Sequence, residues 1–273
     1  MGRLSLTALD CRLDLDCPDP TTRALAAAVW GGLGAPARPG RRDPGRALAL
    51  AGPRPGDVGE WLLRLDREVV VALQRRRPDL YFLHAAVLAR RGRAVALVAP
   101  SGTGKSTLAW ALAHHGFRYL SDELAPVEVG RLVVHPVLRA LGLKAPPPGA
   151  YPLPPGTVAT ARGCYVPVGA LPGGVARRPV PLAAVVFLAR PPGARRPVLR
   201  PLAPAETAAR LLAGALNPLA HAGAGLDPAL AIARRVPGVA LRVGDLAATC
   251  RLLRRALARR AGTAARATCG SPS

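Results

Sequence analysis

The first part of the chain alternates apolar and polar residues, whereas the later part carries longer apolar runs. Leu4 to Asp16 alternates residue by residue, and this pattern predicts one half-exposed strand. Arg23 to Trp30 contains good helix formers and predicts a helix capped by Thr21 and Thr22. The chain is therefore expected to begin with a strand followed by a helix.

Residues 31–59 are rich in glycine, proline and arginine, so they predict loops, with one short strand at Arg46 to Ala51. The next stretch, Glu60 to Gln74, fits either a strand or a helix. Its three consecutive valines, Val69 to Val71, favour a strand because β-branched residues are enriched in strands. The first 78 residues are thus predicted to form a small β-rich α+β region of unknown role.

A more regular pattern follows this region. Two apolar runs, Tyr81 to Ala89 and Arg93 to Val98, are separated by Arg90-Arg91-Gly92 and predict a β-hairpin. A helix is expected from Leu108 to His114, and a strand from Phe117 to Ser121. Strands that alternate with helices predict an α/β fold.

The remaining chain predicts a second ordered block behind a mobile, Pro/Gly-rich surface loop at Ala145 to Gly156. Its elements are a strand over 181–189, helices over Ala205–Leu216 and Asp227–Arg235, a strand over Val239–Val243 and a helix over Leu246–Arg259. Residues 79–260 are therefore assigned to one domain, and the small, basic residues 261–273 to a disordered tail.

A phosphate-binding loop is predicted between the hairpin and the next helix, in Ala99-Pro-Ser-Gly-Thr-Gly-Lys-Ser-Thr107. Gly102 and Gly104 let successive amide N–H groups point at phosphate oxygens, and the helix adds its positive N-terminal end. The usual pattern opens with glycine, so Ala99 fits only if its φ is negative. The residues predicted to bind the nucleotide are Ser101, Gly102, Thr103, Gly104, Lys105, Ser106 and Thr107.

This loop predicts binding of a nucleoside triphosphate, with Lys105 at the β- and γ-phosphates and the Ser106 hydroxyl on Mg²⁺. Asp122 and Glu123 follow the next strand, one short helix and one turn beyond the lysine. This spacing predicts that one carboxylate reaches the metal and the other takes a proton from an attacking hydroxyl. The alternative is that the two acidic residues lie at the surface and cap a turn.

His84 lies on the predicted strand that precedes the strand leading into the loop. It is either a core residue or part of the site.

Three segments together resemble the C-terminal domain of HPr kinase/phosphorylase, and more closely the HPr-kinase-related proteins. They are Leu83-His-Ala-Ala-Val87, Pro100-Ser-Gly-Thr-Gly-Lys-Ser-Thr107 and Gly116-Phe-Arg-Tyr-Leu-Ser-Asp-Glu-Leu124. His84, Lys105, Ser106, Asp122 and Glu123 match the motif positions one by one. The resemblance covers residues 79–145 strongly and 180–255 weakly, and Pro136 to Lys144 is loosely similar to a basic segment of the family.

The resemblance implies a P-loop fold of the phosphoenolpyruvate-carboxykinase-like type and a kinase that moves the γ-phosphate of ATP to a protein or peptide serine. It implies that the first acidic residue, Asp122, is the base. In the kinase predicted here, Asp122 positions or deprotonates the serine hydroxyl, Glu123 helps Ser106 and Asp122 to hold Mg²⁺, and His84 orients the acidic pair. Hexamers occur in the family, so a homo-oligomer is implied, although the residues give no signature of one. The bifunctional enzymes carry two aspartates at the Asp122-Glu123 position, which argues against reverse phosphorolysis and against HPr as the acceptor.

A formal charge of +22 on 273 residues raises the question of a nucleic-acid partner. Lys105 and Lys144 are the only lysines, and the arginine pairs are dispersed along the chain. The sequence contains no aromatic-rich basic stripe of the kind that binds single strands. A compositional bias toward arginine explains the charge and argues against nucleic acid. The retention of Lys144 suggests a role that arginine cannot serve.

The spacing of the cysteines and the length of the apolar runs indicate in which cellular compartment the protein is expected. Five cysteines lie far apart without a Cys-x-x-Cys pair, which predicts reduced thiols, no structural zinc and a cytoplasmic protein. Asp10 and Asp14 argue against a signal peptide. The apolar run Val180 to Ala189 is too short to cross a bilayer, which takes about 20 residues. No membrane partner is expected.

Two other classes of function stay open. A small-molecule kinase of the shikimate or gluconate type also has an acidic motif soon after its P-loop helix, and Arg177-Arg178 or Arg195-Arg196 could serve its lid. Its P-loop, however, usually lies near the N-terminus. A non-catalytic, nucleotide-dependent binding module fits the charge but not the adjacent acidic pair. A transporter-type ATPase is disfavoured because the sequence lacks the Leu-Ser-Gly-Gly-Gln signature.

Overall fold

The computed structural model of the protein describes residues 2–17, 19–33, 48–49 and 57–267, and in them the chain forms a mixed α/β fold. The strands are β1 Gly2–Ala8, β2 Cys11–Cys17, β3 Leu48–Ala49, β4 Tyr81–Leu83, β5 Ala85–Arg90, β6 Arg93–Val98, β7 Arg118–Ser121, β8 Ala125–Glu128, β9 Val133–Val134, β10 Leu141–Leu143, β11 Val158–Thr160, β12 Gly163–Val166, β13 Val180–Ala189, β14 Val198–Pro201 and β15 Gly238–Arg242. The helices are α1 Pro20–Trp30, α2 Val58–Arg76, α3 Lys105–His114, α4 Pro204–Ala213, α5 Leu226–Arg235 and α6 Leu246–Ala267.

The largest sheet has the strand order β4-β8-β9-β13-β6-β5-β7, and β15 joins it beside β13. The first residues of β13 pair antiparallel with β9, and the later ones pair parallel with β6 and β15. β14 pairs antiparallel with β15. Two smaller sheets, β1-β2-β3 and β10-β12-β11, lie apart from it. The strand β6, which leads into the glycine-rich loop, therefore lies between β5 and β13 in the middle of the large sheet.

Successive side chains of the central strands face two different hydrophobic cores. In β5, Ala86 and Leu88 belong to one core, whereas Ala85 and Val87 belong to the other. The first core also contains residues of α1, α2, α3 and the β1–β2 pair, and the second contains residues of α4 and α5. Because helices cover both faces, the central strands are apolar on both sides.

The predicted hairpin is confirmed for β5 and β6. They are joined by Arg91 and Gly92, whose φ values of 52° and 70° suit a two-residue turn. The single strand predicted over Tyr81 to Ala89 is interrupted at His84, because β4 pairs with β8 whereas β5 pairs with β6 and β7. The His84 amide donates instead to the carbonyl of Gly214 over 2.8 Å.

Two predictions for the start of the chain need correction. Leu4 to Asp16 is not one strand but most of the β1–β2 hairpin, whose turn residues Leu9 and Asp10 have φ values of 53° and 63°. Both strands alternate apolar and polar residues in the same way, so this alternation does not reveal the turn between them. Helix α1 is capped by Asp19 and not by the two threonines, since its carboxylate accepts from the Thr22 amide over 2.8 Å.

The stretch Glu60 to Gln74, for which three valines favoured a strand, lies in helix α2. Leu62, Leu65, Val69 and Leu73 are fully buried at spacings of three and four residues. One apolar stripe of the helix therefore faces the core. Burial of this stripe outweighs the weak strand preference of the valines.

The predicted second block is confirmed in element type. Its last helix, however, continues to Ala267, into the segment 261–273 expected to be a disordered tail. Alanine and arginine are strong helix formers, which explains the extension. Residues 268–273 lie outside the described residues. Of the strand predicted at Arg46 to Ala51, Leu48–Ala49 form β3 and the other residues lie outside the described part.

The N-terminal region and the rest of the chain share one buried core. Leu6 of β1, Leu62 of α2 and Leu112 of α3 belong to the same cluster of buried side chains. Residues on both sides of the boundary predicted at residue 78 therefore contribute to this one core. Among the described residues, every helix is too short or too polar to be a membrane span. The described cysteines are buried and form no disulfide with one another.

Gly173 provides a test of how the strand that carries the acidic pair is supported. The adjacent Gly174 carbonyl accepts from the Tyr119 amide of β7 over 2.9 Å. A Cβ on Gly173 would overlap the carbonyl oxygen of Phe117, so the backbone would have to move. We expect Gly173→Ala to lower the free energy of unfolding by about 1–3 kcal/mol in urea denaturation. Gly169→Ala is the control, since a Cβ there meets nothing within 4 Å, and equal losses would contradict the packing.

Candidate active site

The segment between β6 and α3 forms a tight loop that ends at the first turn of the helix. Gly102 and Gly104 have φ values of 85° and 93°, a conformation that favours glycine. Ala99 is not in the left-handed region, so alanine fits at the position where the usual pattern has glycine. No side chain of the described residues caps α3 at its start, which leaves amide N–H groups of the first turn for another acceptor.

Five residues singled out from the sequence meet beside this loop: His84, Lys105, Ser106, Asp122 and Glu123. Lys105 Nζ lies 2.8 Å from His84 Nε2 and 3.3 Å from Glu123 Oε2. Ser106 Oγ donates to Asp122 Oδ1 over 3.2 Å. His84 Nε2 also contacts Glu123 Oε2 directly. We refer to these five residues as the central cluster.

The sheet register explains why these distant residues meet. Ala85 at the start of β5 pairs with Val98 at the end of β6, and Val87 pairs with Ser121 at the end of β7. The start of β5 and the ends of β6 and β7 therefore lie at the same edge of the sheet. The histidine before β5, the loop after β6 and the acidic pair after β7 are brought to that edge by strand pairing.

Glu123 has a strained backbone. Its φ is 64°, which is uncommon for a residue with a side chain. Residues in sparsely populated regions cost on the order of 1–3 kcal/mol and persist when the surroundings hold them there. Contacts with His84 and Lys105 hold the Glu123 side chain in this conformation.

The two adjacent carboxyls ionise differently. Asp122 is fully buried, and the loss of solvent, together with the charge of Glu123, raises the pKa of Asp122 to about 6, despite the opposing effect of Arg139 and Lys105. Burial also acts to raise the pKa of Glu123, but the hydrogen bond with His84 and the charge of Lys105 outweigh it and lower that pKa to about 2. Glu123 is therefore a fixed anion, whereas Asp122 can exchange a proton near neutral pH.

Sequence reasoning missed Arg139 and Asp66. Arg139 Nη1 lies 2.6 Å from Asp66 Oδ2, and only 3% of the arginine side chain is exposed. Burial opposes the charge of Arg139, but the carboxylates of Asp66 and Asp122 outweigh it and raise the pKa of the arginine. A charged residue inside the apolar stretch Val137 to Leu141 is the signal that could have found it. Asp66 lies on the misassigned α2.

The N-terminal region holds Arg139 in place. The guanidinium carbon lies 5.4 Å from the centre of the Trp30 ring, which is a cation–π distance. The amide of Ala140 donates to the carbonyl of Val29 over 2.6 Å. From the other side, the hydroxyl of Tyr119 donates to the Arg139 carbonyl over 3.1 Å. Helices α1 and α2 are thus structural parts of the site.

The site is rich in carboxylate oxygen. Its carboxylates are the fully buried Asp122 and the partly exposed Asp66 and Glu123, and its buried cations are Lys105 and Arg139. Asp122 Oδ2, Asp66 Oδ1 and Arg139 Nε are buried without a hydrogen-bond partner among the described residues. Buried polar atoms normally have partners, so these atoms indicate groups still to be supplied.

These residues fit an Mg²⁺ ion that is shared with a phosphate. Mg²⁺ prefers hard oxygen ligands and is usually bound through one or two carboxylates together with substrate phosphates and water. Ser106 Oγ and the Asp122 carboxylate lie side by side at the loop and would hold it. Within the described part of the chain, no three His, Cys, Asp or Glu side chains form a metal cage by themselves.

The loop separates two cavities. The helix-side cavity has a volume of about 600 Å³ and borders Thr103, Gly104 and Thr107. Its other walls are formed by Pro146–Pro148, Tyr151, Arg190 and Val243–Ala247. The α2-side cavity has a volume of about 540 Å³ and borders Ser101, Asp122, Glu123 and Arg139. Each cavity thus has the predicted loop as one wall.

The loop predicted at Ala145 to Gly156 forms the outer wall of the helix-side cavity. It is fixed at Tyr151, whose carbonyl accepts from Trp110 Nε1 over 2.9 Å. The hydroxyl of the same tyrosine lies 3.1 Å from His115 Nε2. The proline-rich wall is therefore anchored to helix α3.

Lys144 also reaches the loop. Its Nζ donates to Ser101 Oγ over 2.5 Å, and the side chain is exposed. It lines the α2-side cavity. Both lysines of the chain thus lie beside the same loop, in keeping with the expectation that Lys144 has a specific role.

Comparison with known proteins gives a distant similarity. No family model matches the chain, and no curated protein matches its sequence. Among solved structures, the chain is similar to the Hpr(Ser) kinase/phosphatase from Coxiella burnetii, with 15% identity and a TM-score of 0.39. The match covers 65% of this chain and 97% of that one. At this distance the assignment of a function depends on the residues of the site.

The ionised carboxylate of Asp122 is expected to lower the stability of the folded protein, because it is buried. Asp122→Asn removes the carboxylate but keeps an oxygen that can accept from Ser106. We expect it to raise the free energy of unfolding of the nucleotide-free protein by about 1–3 kcal/mol above pH 6, measured by urea denaturation. The gain should fade as the pH falls from about 6 toward 4, because the folded aspartate then becomes protonated. It should disappear below about pH 3, where the unfolded aspartate is protonated as well.

Asp16→Asn is the matched control for this measurement. Asp16 forms an exposed pair with Arg3, and 46% of its side chain is accessible. Exposed pairs contribute little, so its stability should change by less than about 1 kcal/mol. An Asp122→Asn protein less stable than the parent at neutral pH would contradict the electrostatic description of the site.

Proposed function

We propose that the protein is an Mg²⁺-dependent P-loop kinase that transfers the γ-phosphate of ATP to a serine hydroxyl of a protein or peptide. The observation that carries the proposal is the central cluster, in which Lys105 and Ser106 at the start of α3 meet Asp122 and Glu123. Phosphoryl transfer depends chiefly on positioning and charge stabilisation, and it needs a lysine, a metal-holding hydroxyl and a carboxylate close together.

The nucleotide would lie along the loop. Its phosphates would accept from the amide groups of Ser101 to Thr107 and face the positive end of α3. The helix-side cavity begins at Thr103 and Gly104, so the sugar and base would enter it. This placement leaves the γ-phosphate toward the α2-side cavity, where the acidic pair lies.

Each side chain of the cluster has a role in this reaction. Lys105 would neutralise charge on the transferred group, and Glu123 and His84 hold its ammonium in place. When bound, Mg²⁺ supplies further neutralisation of phosphate charge, held by Ser106 and the acidic pair. The contacts support a division of labour in which Glu123 orients Lys105, and Asp122 faces both Ser106 and the acceptor.

Asp122 is the proposed base. Its Oδ1 accepts from Ser106, and its Oδ2 has no partner among the described residues. The serine oxygen would bond to the γ-phosphorus as the bond from phosphorus to the bridging oxygen of ADP breaks. The serine proton would pass to Asp122, whose raised pKa suits proton acceptance near neutral pH. The family resemblance adds a cytoplasmic location and a homo-oligomer to the proposal.

The direct test is transfer from labelled ATP to serine-containing peptides, read as phosphoserine by mass spectrometry. We expect Lys105→Met to reduce kcat/KM by about 10²–10³-fold, because a preorganised positive charge is lost. Arg93→Met is the control, since Arg93 is exposed at the opposite end of β6 from the loop. It should retain parental activity.

Other outcomes of the same assay decide between classes of function. Phosphorylation of free hydroxyl metabolites and of no peptide would replace the proposal with a small-molecule kinase. Calorimetry that detects no binding of ATP with Mg²⁺ would remove the P-loop assignment. Nucleotide binding without transfer to any acceptor would favour a binding module.

Asp122→Asn separates binding from chemistry. The amide cannot take the proton of the attacking serine, so kcat should fall by about 10²–10⁴-fold. The direct phosphate contacts of the loop do not involve this side chain, so binding of ATP without Mg²⁺, measured by calorimetry, should persist. Unchanged kcat in this variant would refute the role assigned to Asp122.

A further inference from the structure

One face of α2 forms a wall of the α2-side cavity. Gly59, Leu63 and Asp66 line the cavity, and they follow one another at the spacing of helical turns. This stripe is distinct from the fully buried stripe of the same helix, which contains Leu62 and Leu65. The helix therefore presents one face to the core and a neighbouring face to the cavity.

The same cavity reaches the atoms that would react. Ser101, Asp122 and Glu123 also line this cavity, so a group that enters along α2 would arrive at the acidic pair and the loop. Asp66 on the helix and Arg139, which both line the cavity, form an ion pair of 2.6 Å. Asp66 Oδ1 and Arg139 Nε each lack a partner among the described residues, and both residues line the cavity.

Part of the cavity lining is apolar. Leu63 is 42% exposed, although most leucines of the described chain are buried. Leu143, Cys164 and Tyr165 line the cavity with it. Such an apolar wall favours an apolar side chain of a ligand, since covering a leucine removes apolar surface from water.

The cavity is closed on the side where α2 meets the β11–β12 turn. Glu60 of α2 and Arg162 of the β11–β12 turn form an ion pair of 2.5 Å across its edge. A Cβ on Gly59 would lie 3.3 Å from Thr160 Oγ1, so helix and hairpin are in close contact. A volume of about 540 Å³ is that of a small-ligand pocket. It admits a few side chains and excludes a folded domain.

We infer that α2 forms the acceptor-binding wall and that the acceptor is a serine in an extended peptide segment, with an apolar neighbour that packs on Leu63. The inference rests on the proposed kinase function. The serine enters the cavity along α2, past Leu63, and places its hydroxyl at Asp122. Residues of the N-terminal region thus select the acceptor.

The test uses peptides with a fixed serine and randomised neighbours, labelled ATP and Mg²⁺. Leu63→Trp should fill the mouth of the cavity and raise KM for the preferred peptide by about tenfold or more, with a smaller effect on KM for ATP. Val71→Trp is the matched control, because Val71 is 38% exposed on the same helix and does not line the cavity. It should behave as the parent.

Leu63→Ala gives an independent reading if the tryptophan variant folds poorly. It enlarges the mouth of the cavity, so the preferred neighbour of the serine should shift from leucine-sized to larger aromatic residues. An unchanged peptide preference in Leu63→Ala, or equal KM values for Leu63→Trp and Val71→Trp, would overturn the inference while the kinase function stands. A parent protein that phosphorylates no serine peptide would overturn both.

Discussion

Burial of the Asp122 carboxylate at one edge of the sheet is the constraint on which the site depends. An ionised group without solvent is costly unless it is paired, and Asp122 lies among the partly exposed carboxylates of Asp66 and Glu123 and the buried cations of Lys105 and Arg139. The arrangement is incomplete as a purely structural ion network, because a buried oxygen of Asp122 has no partner among the described residues. A further donor or cation at that oxygen would complete it.

The N-terminal region explains how this charge is kept in position. Arg139 is packed against Trp30, paired with Asp66, and held through its neighbour Ala140 by Val29. Its guanidinium therefore loses little freedom when it stabilises the acidic pair. Through these contacts the first helices belong to the same structural unit as the acidic pair.

Much of the site could be predicted from the sequence because its motifs are local. The loop and the acidic pair each follow a strand directly, so strand pairing alone brings them together. Arg139 and Asp66 could not be found in this way, since their pairing depends on how α2 packs in three dimensions. The valines of α2 favoured a strand, but the segment is a helix because the burial of its side chains outweighs the local preference of the valines. The turn at Leu9 and Asp10 was missed because both strands of the hairpin share one alternation.

The placement of the two lysines has a practical consequence for chemical biology. In a chain whose other basic side chains are arginine or histidine, amine-directed reagents have few targets besides the amino terminus. Lys144 is exposed and lies at the loop, whereas Lys105 is only 4% exposed. Acylating agents and amine-reactive cross-linkers would therefore attach at Lys144, next to the glycine-rich loop, with little modification elsewhere.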